Sequence, residues 1–392
     1  MRSWRSVRRA TTSSLDGLEI GDCRAPIVRA TVWLLRLRLA RPVTTAQRTI
    51  RARQAALVRL EDGAGRFGIG EATPLVGFGR KRRGSLRRVL RAAAEDAVGL
   101  PCTGLLARLR GFPARDAFTA AVRFGFETAA LDLVAQEQGL PLARVLFPRA
   151  AASVRVNALL GGETPDEVAR SALDAVASGF GAAKLKVGGR PLRRELARVA
   201  AAREALGDRA LRLDANGAWE EAEAEEILRR LEPFAPEYVE QPIPPGRPDV
   251  LARLRRRVPV PIAADEDAYS FEAVEALLDA GAVDVLVLKP AVVGGLLDCR
   301  RIARAAADAG VDSVVTSALD TTVAVAAAAH LAASLGRERA HGLATAALLA
   351  RDVAQAPLAV CEGTLTLGAE PGLGVRLSEW VTTRQPYLEV TA

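Results

Sequence analysis

From residue 153 the chain repeats one pattern, a short apolar run followed by a longer Ala/Leu/Arg-rich stretch with helical spacing. The apolar runs are Ser153–Leu160, Ala182–Val187, Ala210–Asp214, Glu237–Glu240, Pro261–Asp265, Val283–Lys289, Asp312–Ser317 and Ala340–Ala344. Between them helices are expected over 165–179, 191–206, 220–232, 247–257, 270–281, 295–310 and 320–335. The runs are mostly continuous rather than alternating in hydrophobicity, as parallel strands covered by helices require. Eight such strands at spacings of roughly 20–30 residues predict a closed barrel, since an open doubly wound sheet usually has fewer. No eighth helix is legible. The expected fold is therefore α/β, a (β/α)7β TIM-like barrel over residues 151–345.

The first 150 residues have a different order. Two strand-like stretches, "IVRATVWLLRLRLA" and "QAALVRLEDGAGRFGIGEA", come first, the second broken by a Gly-rich hairpin signal. Helical patterns follow at 85–98 and 114–138. Strands followed by helices predict a small α+β unit over 25–150, to which part of 346–392 is expected to return. Residues 1–24, rich in Arg and Ser and without an apolar h-region, are expected to form a disordered extension rather than a transit peptide.

In a barrel of this kind the active site lies at the C-terminal strand ends. Those ends carry Lys184 and Lys186 on the second strand, Asp214 on the third, Glu240 on the fourth, Asp265 on the fifth and Lys289 on the sixth. Each sits inside or at the end of an apolar run, where an unpaired charge is expensive. Three converging carboxylates need a cation between them. Without His or Cys partners they favour a hard ion, Mg²⁺ or Mn²⁺.

The chain has 54 Lys+Arg, yet only four are lysine: Lys81, Lys184, Lys186 and Lys289. Arginine is never deprotonated in a protein, whereas lysine can act as a base. A neighbouring ammonium and a divalent ion are expected to lower the pKa of such a lysine. Strand alternation points Lys184 and Lys186 to the same inward side, with Lys186 nearer the mouth and Lys289 across the barrel. Arg212, two residues before Asp214, falls on the same face and suits either a second substrate anion or a barrel carboxylate. Ser317 is a further candidate substrate contact; Asn216 and Glu266 are candidate supports for the metal carboxylates.

Composition narrows the alternatives. With 49% hydrophobic and 26% charged residues the chain can bury a large core. No apolar run is long enough to span a bilayer. Cys23, Cys102, Cys299 and Cys361 form no CxxC pair, which argues against a zinc site and fits a reducing cytoplasm. The net charge of +8 would permit nucleic-acid binding. The densest basic run, Arg80–Arg91, lacks interleaved aromatics and reads as a solvated helix face, so nucleic acid is not the expected partner.

The motifs "KLKVG", "LRLDANGAW", "YVEQPI", "IAADED" and "VLVLKPAVVGG" on successive strands, with "GIGEATPLVGFG" near the N-terminus, resemble the enolase superfamily in its muconate-lactonizing subgroup. The resemblance covers roughly residues 25–365. It implies proton abstraction beside a substrate carboxylate by a lysine base, with Mg²⁺ stabilising an enediolate. Asp214, Glu240 and Asp265 would then be the metal ligands, and Lys184, Lys186 and Lys289 the catalytic lysines. Neither His330 nor His341 falls where a mandelate-racemase-type base would sit. After the eighth strand "HGLATAALLARDV" lacks the Asp-x-Asp of dipeptide epimerases. That segment, "TSALDTTVAVAAAAHLA" and Arg212 look more like o-succinylbenzoate synthases of menaquinone biosynthesis. The implied reaction is syn-dehydration of 2-succinyl-6-hydroxy-2,4-cyclohexadiene-1-carboxylate. N-acylamino acid racemisation or dipeptide epimerisation, with Lys186 and Lys289 on opposite faces, stays open beside it, as does a non-catalytic basic nucleic-acid-binding barrel. The first capping loop, which contacts substrate in this superfamily, is placed near Ala40–Ala52.

Overall fold

The computed structural model describes residues 23–44, 49–76, 84–112, 114–336 and 339–392. Most of the expected N-terminal extension, residues 45–48 of the capping loop and residues 80–83 of the basic run lie outside the described residues.

The N-terminal unit is built on a four-stranded antiparallel sheet ordered 388–391, 27–44, 49–62, 67–72. The Gly-rich hairpin is where expected. Asp62 Oδ1 accepts from the backbone N–H of Ala64 and Arg66, both at 3.0 Å, and closes the turn. The final strand, Leu388–Thr391, pairs with the start of Ile27–Thr44, so the tail does return to this sheet. Helix Ala117–Glu137 crosses the other edge, with Asp116 as N-cap accepting from Phe118 and Thr119.

The glycines of "GIGEA" explain that crossing. A Cβ added to Gly70 would lie 1.9 Å from the carbonyl oxygen of Gly125, and one on Gly68 2.0 Å from that of Ala129. Strand and helix therefore meet backbone to backbone, and neither side can yield. Gly70→Ala is expected to cost about 3 kcal/mol or more and to lower Tm by several degrees. Gly181→Ala, with nothing within 4 Å, is the neutral control. Equal melting temperatures for the two variants would refute the close-packing account.

The basic run enters helix Leu86–Ala97. Leu86, Leu90, Ala93, Ala94 and Ala97 are buried, while Arg87, Arg88 and Arg91 are exposed. Its described part is a solvated face.

The second unit is a seven-stranded parallel sheet, Ala158–Leu160, Ala182–Lys186, Ala210–Asp214, Tyr238–Glu240, Ile262–Ala264, Val285–Leu288 and Asp312–Val315, with neighbours in chain order. Among the described residues eight α-helices connect or follow these strands, from Pro165–Ala177 to Thr322–Ser334; the short Pro290–Val293 is not among those expected, and the other seven lie within a few residues of their expected spans. The eighth expected strand is reduced to two bridging residues. His341 pairs with Val156 and Gly342 with Thr316, joining the first and last strands and closing the barrel.

One expectation is corrected. Ser153–Leu160 is not a single strand. Ser153–Arg155 leaves the barrel wall and pairs antiparallel with Thr364–Thr366 of the tail, and only Ala158–Leu160 joins Ala182–Lys186. The tail hairpin supplies hydrogen bonds to backbone that would otherwise lie unpaired beyond the barrel's edge. Among the described residues no helix is long and apolar enough to cross a membrane.

Candidate active site

Strand register brings the polar residues together. Lys186 pairs with Asp214, and Asp214 with Glu240, in one cross-strand row at the C-terminal edge. Lys184 pairs with Arg212 one layer deeper. Asp265 and Lys289 each follow the last residue of their strand. Because side chains alternate along a strand, this register sends all of them to the barrel interior.

The lysines and carboxylates interlock. Lys184 Nζ donates to Glu240 Oε1 at 2.9 Å and Oε2 at 3.1 Å, and lies 3.1 Å from Asp214 Oδ2. Lys186 Nζ donates to Asp214 Oδ2 at 2.9 Å and to Asn216 Oδ1 at 2.5 Å. Lys289 Nζ donates to Asp265 Oδ1. Of the three, Lys186 is the most open: 28% of its side chain is exposed, against 15% for Lys184 and 10% for Lys289.

Burial would by itself push Asp214 up, but Lys184 and Lys186 outweigh it and hold the carboxyl well below its ordinary range. For Lys184 burial acts downward, yet Asp214 and Glu240 keep its ammonium well above the usual lysine value. Glu240 is pushed up to about 7, first by burial and then by Asp214, with Lys184 opposing. Glu266 is pushed up to about 8 by burial and by Asp265 and Asp214. Asp214, Glu240, Asp265 and Glu266 are thus four buried carboxylates facing three ammonium groups, and Glu266 Oε2 has no partner among the described residues.

That crowding of buried acids, all hard oxygen donors with too little positive charge among them to keep Glu240 and Glu266 in the ordinary range, fits a divalent cation such as Mg²⁺. Asp214, Glu240 and Asp265 are the residues that could hold it. Among the described residues no three His, Cys, Asp or Glu side chains form a ready-made metal cluster, because each of these carboxylates is turned onto a lysine.

A cavity of about 410 Å³ opens above this layer. Lys184, Lys186, Asp214, Asp265 and Lys289 form its floor. Ser317 and Asn216 also line it; Ile50 and Leu75 reach it from the N-terminal unit. Asn216 links Lys186 to Glu266, its Oδ1 accepting from Lys186 Nζ and its Nδ2 donating to Glu266 Oε1 at 3.2 Å. Ser317 Oγ meets Thr345 Oγ1 at 2.6 Å, which brings the seventh strand's end against the segment after His341.

Arg212 does not reach the cavity. It is 1% exposed, donates to Glu237 at 2.6 Å, Asn157 Oδ1 at 3.1 Å and the Ala340 carbonyl at 2.7 Å, and stacks on Tyr238. The expectation of a substrate contact there gives way to the other role weighed for it, pairing with a carboxylate. Same-face placement sets a side chain's direction but not its reach: Lys184, in register with Arg212, turns onto Asp214 and Glu240 at the cavity floor, whereas Glu237 and the Ala340 carbonyl hold Arg212 in the core.

His330 and His341 are both buried structural groups. Burial pushes them down to about 4 and about 3, and each accepts a backbone N–H at Nδ1, from Ala143 and Val315 respectively. Gln241 is a contributor the motif reading passed over. Its Oε1 accepts the N–H of Asp265 at 3.1 Å and its Nε2 donates to Asp267 at 2.8 Å, so it orients the fifth strand's exit. Its place directly after Glu240 is visible in the sequence, but its burial and its φ of 41° are properties of the fold.

The chain matches the mandelate racemase / muconate lactonizing enzyme N-terminal domain over residues 28–146 and the enolase C-terminal domain-like family over 167–381. It is 43% identical over 217 residues to an o-succinylbenzoate synthase of Thermobifida fusca, a match spanning 54% of this chain and 66% of that one, just under two thirds of its length. A hydrophobic dipeptide epimerase of Enterococcus faecalis is 30% identical, covering 87% of this chain and 96% of the relative. The crystal structure of the dipeptide epimerase from Enterococcus faecalis V583 with Mg and L-Leu-L-Tyr superposes with a TM-score of 0.82 at 28% identity, covering 89% and 99% of the two chains. With both domain types matched in order and with its polar residues at the same strand ends as the motifs require, this chain belongs to the enolase superfamily.

Proposed function

We propose that the protein is an o-succinylbenzoate synthase, a hydro-lyase that dehydrates 2-succinyl-6-hydroxy-2,4-cyclohexadiene-1-carboxylate in menaquinone biosynthesis. The observation that carries this reading is the wall formed by the eighth-strand segment. It offers Gly342, Ala344 and Thr345 to the cavity and no acid. The next carboxylate, Asp352, is committed elsewhere, accepting from Thr322 N at 3.0 Å and Ala354 N at 2.9 Å. A substrate ammonium would find no anion on that segment, whereas a neutral, partly apolar acyl group would fit. Among the described residues the cavity's one carboxylate apart from its floor, Asp174, is exposed and belongs to helix Pro165–Ala177. The 43% identity to the Thermobifida fusca enzyme supports the same choice.

On this reading Asp214, Glu240 and Asp265 would hold Mg²⁺. When bound, the ion would draw off negative charge that develops on the substrate carboxylate. Lys186 Nζ, as the neutral amine, takes the proton α to that carboxylate. The ring C–O bond then breaks, and the same ammonium returns the proton to the departing hydroxide, which leaves as water on the same face. Lys289 stands on the opposite face and stabilises charge without transferring a proton. Asn216 Oδ1 accepts from Lys186 Nζ and so helps to orient it.

The second reading is a racemase or epimerase, in which Lys186 and Lys289 each exchange a proton on their own face. The 30% identity to the Enterococcus faecalis epimerase over nearly its whole length favours it. Parallel assays with Mg²⁺ separate the two: dehydration of the cyclohexadiene acid, and α-deuteration of N-acylamino acids and dipeptides in D₂O. Dehydration is expected to exceed α-deuteration by at least tenfold in kcat/KM. Rapid deuteration with little dehydration would overturn the lyase reading.

A further inference from the structure

We infer that Arg198 is the positioning residue for Lys186, gripping the carbonyl oxygen of Lys186 itself from the helix behind the strand. The inference rests on the assignment of Lys186 as the base. Pairing between the first two barrel strands ends at Leu160 with Leu185, one residue short of Lys186. The peptide that leaves Lys186 is instead clamped from both ends. Its N–H, that of Val187, donates to the Asp214 carbonyl at 2.9 Å. Its C=O accepts from Arg198 Nη1 at 3.2 Å.

The same guanidinium does more. Nη2 donates to the Gly162 carbonyl at 3.0 Å, and Nη1 meets Glu195 Oε2 at 2.6 Å. Arg198 and Glu195 are 3% and 5% exposed. Glu195 Oε1 accepts from the N–H of Gly189 at 3.3 Å and lies 3.5 Å from Arg190, which reaches Glu163 at 2.6 Å. One buried fork thus ties the exits of the first and second strands to each other and to the backbone of Lys186. A planar guanidinium can serve two carbonyls and a carboxylate at once in fixed directions, and a lysine at 198 could hold only part of that set. Misplacing a reacting group by about 1 Å costs rate by up to roughly 10²-fold, so this grip acts on turnover rather than on substrate affinity.

The test uses the full chain with Arg198→Gln, Arg198→Lys and Glu195→Gln, the last keeping the arginine in place should the first fold poorly. Because the chain has only four lysines, acetylation by an N-hydroxysuccinimide ester followed by mass spectrometry reports each one separately and needs no substrate. Lys186 is expected to acetylate about tenfold faster in Arg198→Gln, with Lys81 and Lys289 unchanged and Arg198→Lys and Glu195→Gln intermediate. In whichever of the two reactions the wild type performs, kcat is expected to fall roughly 10–100-fold with KM within about twofold. Unchanged Lys186 labelling, a uniform rise at every lysine, or a raised KM at constant kcat would each overturn the inference. If the wild type turns over neither substrate class, the base assignment fails, and the labelling still decides whether Arg198 places Lys186.

Discussion

Lys186→Ala is expected to lower kcat by about 10²–10⁴-fold, the usual worth of a positioned general base, while leaving the protein folded. Folding should survive because Asp214 keeps Lys184 at 3.1 Å and Glu240 keeps its two hydrogen bonds from the same ammonium. Only the Asn216 and Asp214 contacts of Lys186 are lost. Lys186→Arg makes the test sharper. It retains the positive charge beside Asp214 but cannot give up a proton, so it should be about as inactive as the alanine variant. A role confined to charge neutralisation predicts the opposite, near-normal activity in Lys186→Arg. Lys289→Ala then separates the two proposed reactions. In a dehydratase it slows turnover through lost charge stabilisation; in a racemase it blocks α-deuteration of one enantiomer and spares the other. Steady-state kinetics of the three variants, with melting curves to establish folding, checks all of this. Wild-type dehydration by Lys186→Arg would end the proton-transfer assignment.

Mg²⁺ is expected to raise the melting temperature of the wild type and not of Asp214→Asn. A ligand that binds only the folded state stabilises it by about 2.7 kcal/mol at one hundred times its Kd, which for a chain of this length is roughly 3 °C. The physical driver is the surplus at the strand ends, where four buried carboxylates face three ammoniums and Glu240 and Glu266 are pushed up to about 7 and about 8. Removing one carboxylate charge from that group removes both a ligand and much of the surplus. Asp214→Asn will also melt earlier without metal, since Lys186 loses its carboxylate partner and Lys184 one of two. The comparison is therefore made within each variant, with and without Mg²⁺, by scanning calorimetry. Equal Mg²⁺ shifts in both proteins, or full wild-type activity after chelation, would remove Asp214 from the proposed ligand set.

Much of this arrangement was legible in the residues. Parallel strands covered by helices are short continuous apolar runs, so a charged residue at the end of one is conspicuous. That is why Lys186, Asp214, Glu240, Asp265 and Lys289 stand out in one dimension. The rarity of lysine in an arginine-rich chain points the same way. Helix spans are legible because most carry an apolar stripe, while Thr322–Ser334, buried on every side, stands out by its unbroken run of Ala and Val.

What the residues alone left open depends on contacts between distant segments. Arg212 and Asp214 share a strand and a face, yet one is packed beneath the cavity and the other forms its floor; which way a long side chain turns is set by the partners that other segments bring to it, here Glu237, Asn157 and Ala340. The break in Ser153–Leu160 depends on a hairpin more than 200 residues later in the chain. Gln241 accepts the N–H of Asp265 and Arg198 donates to the carbonyl of Lys186, and a hydrogen bond to a backbone group leaves no mark in the identity of the residue that carries it. Local hydrophobic pattern and residue type thus determined the barrel, its strand ends and the chemical class of the site. Tertiary structure decided which of those charges reach the cavity and what holds them there, because register and burial are properties of pairs of segments rather than of either one.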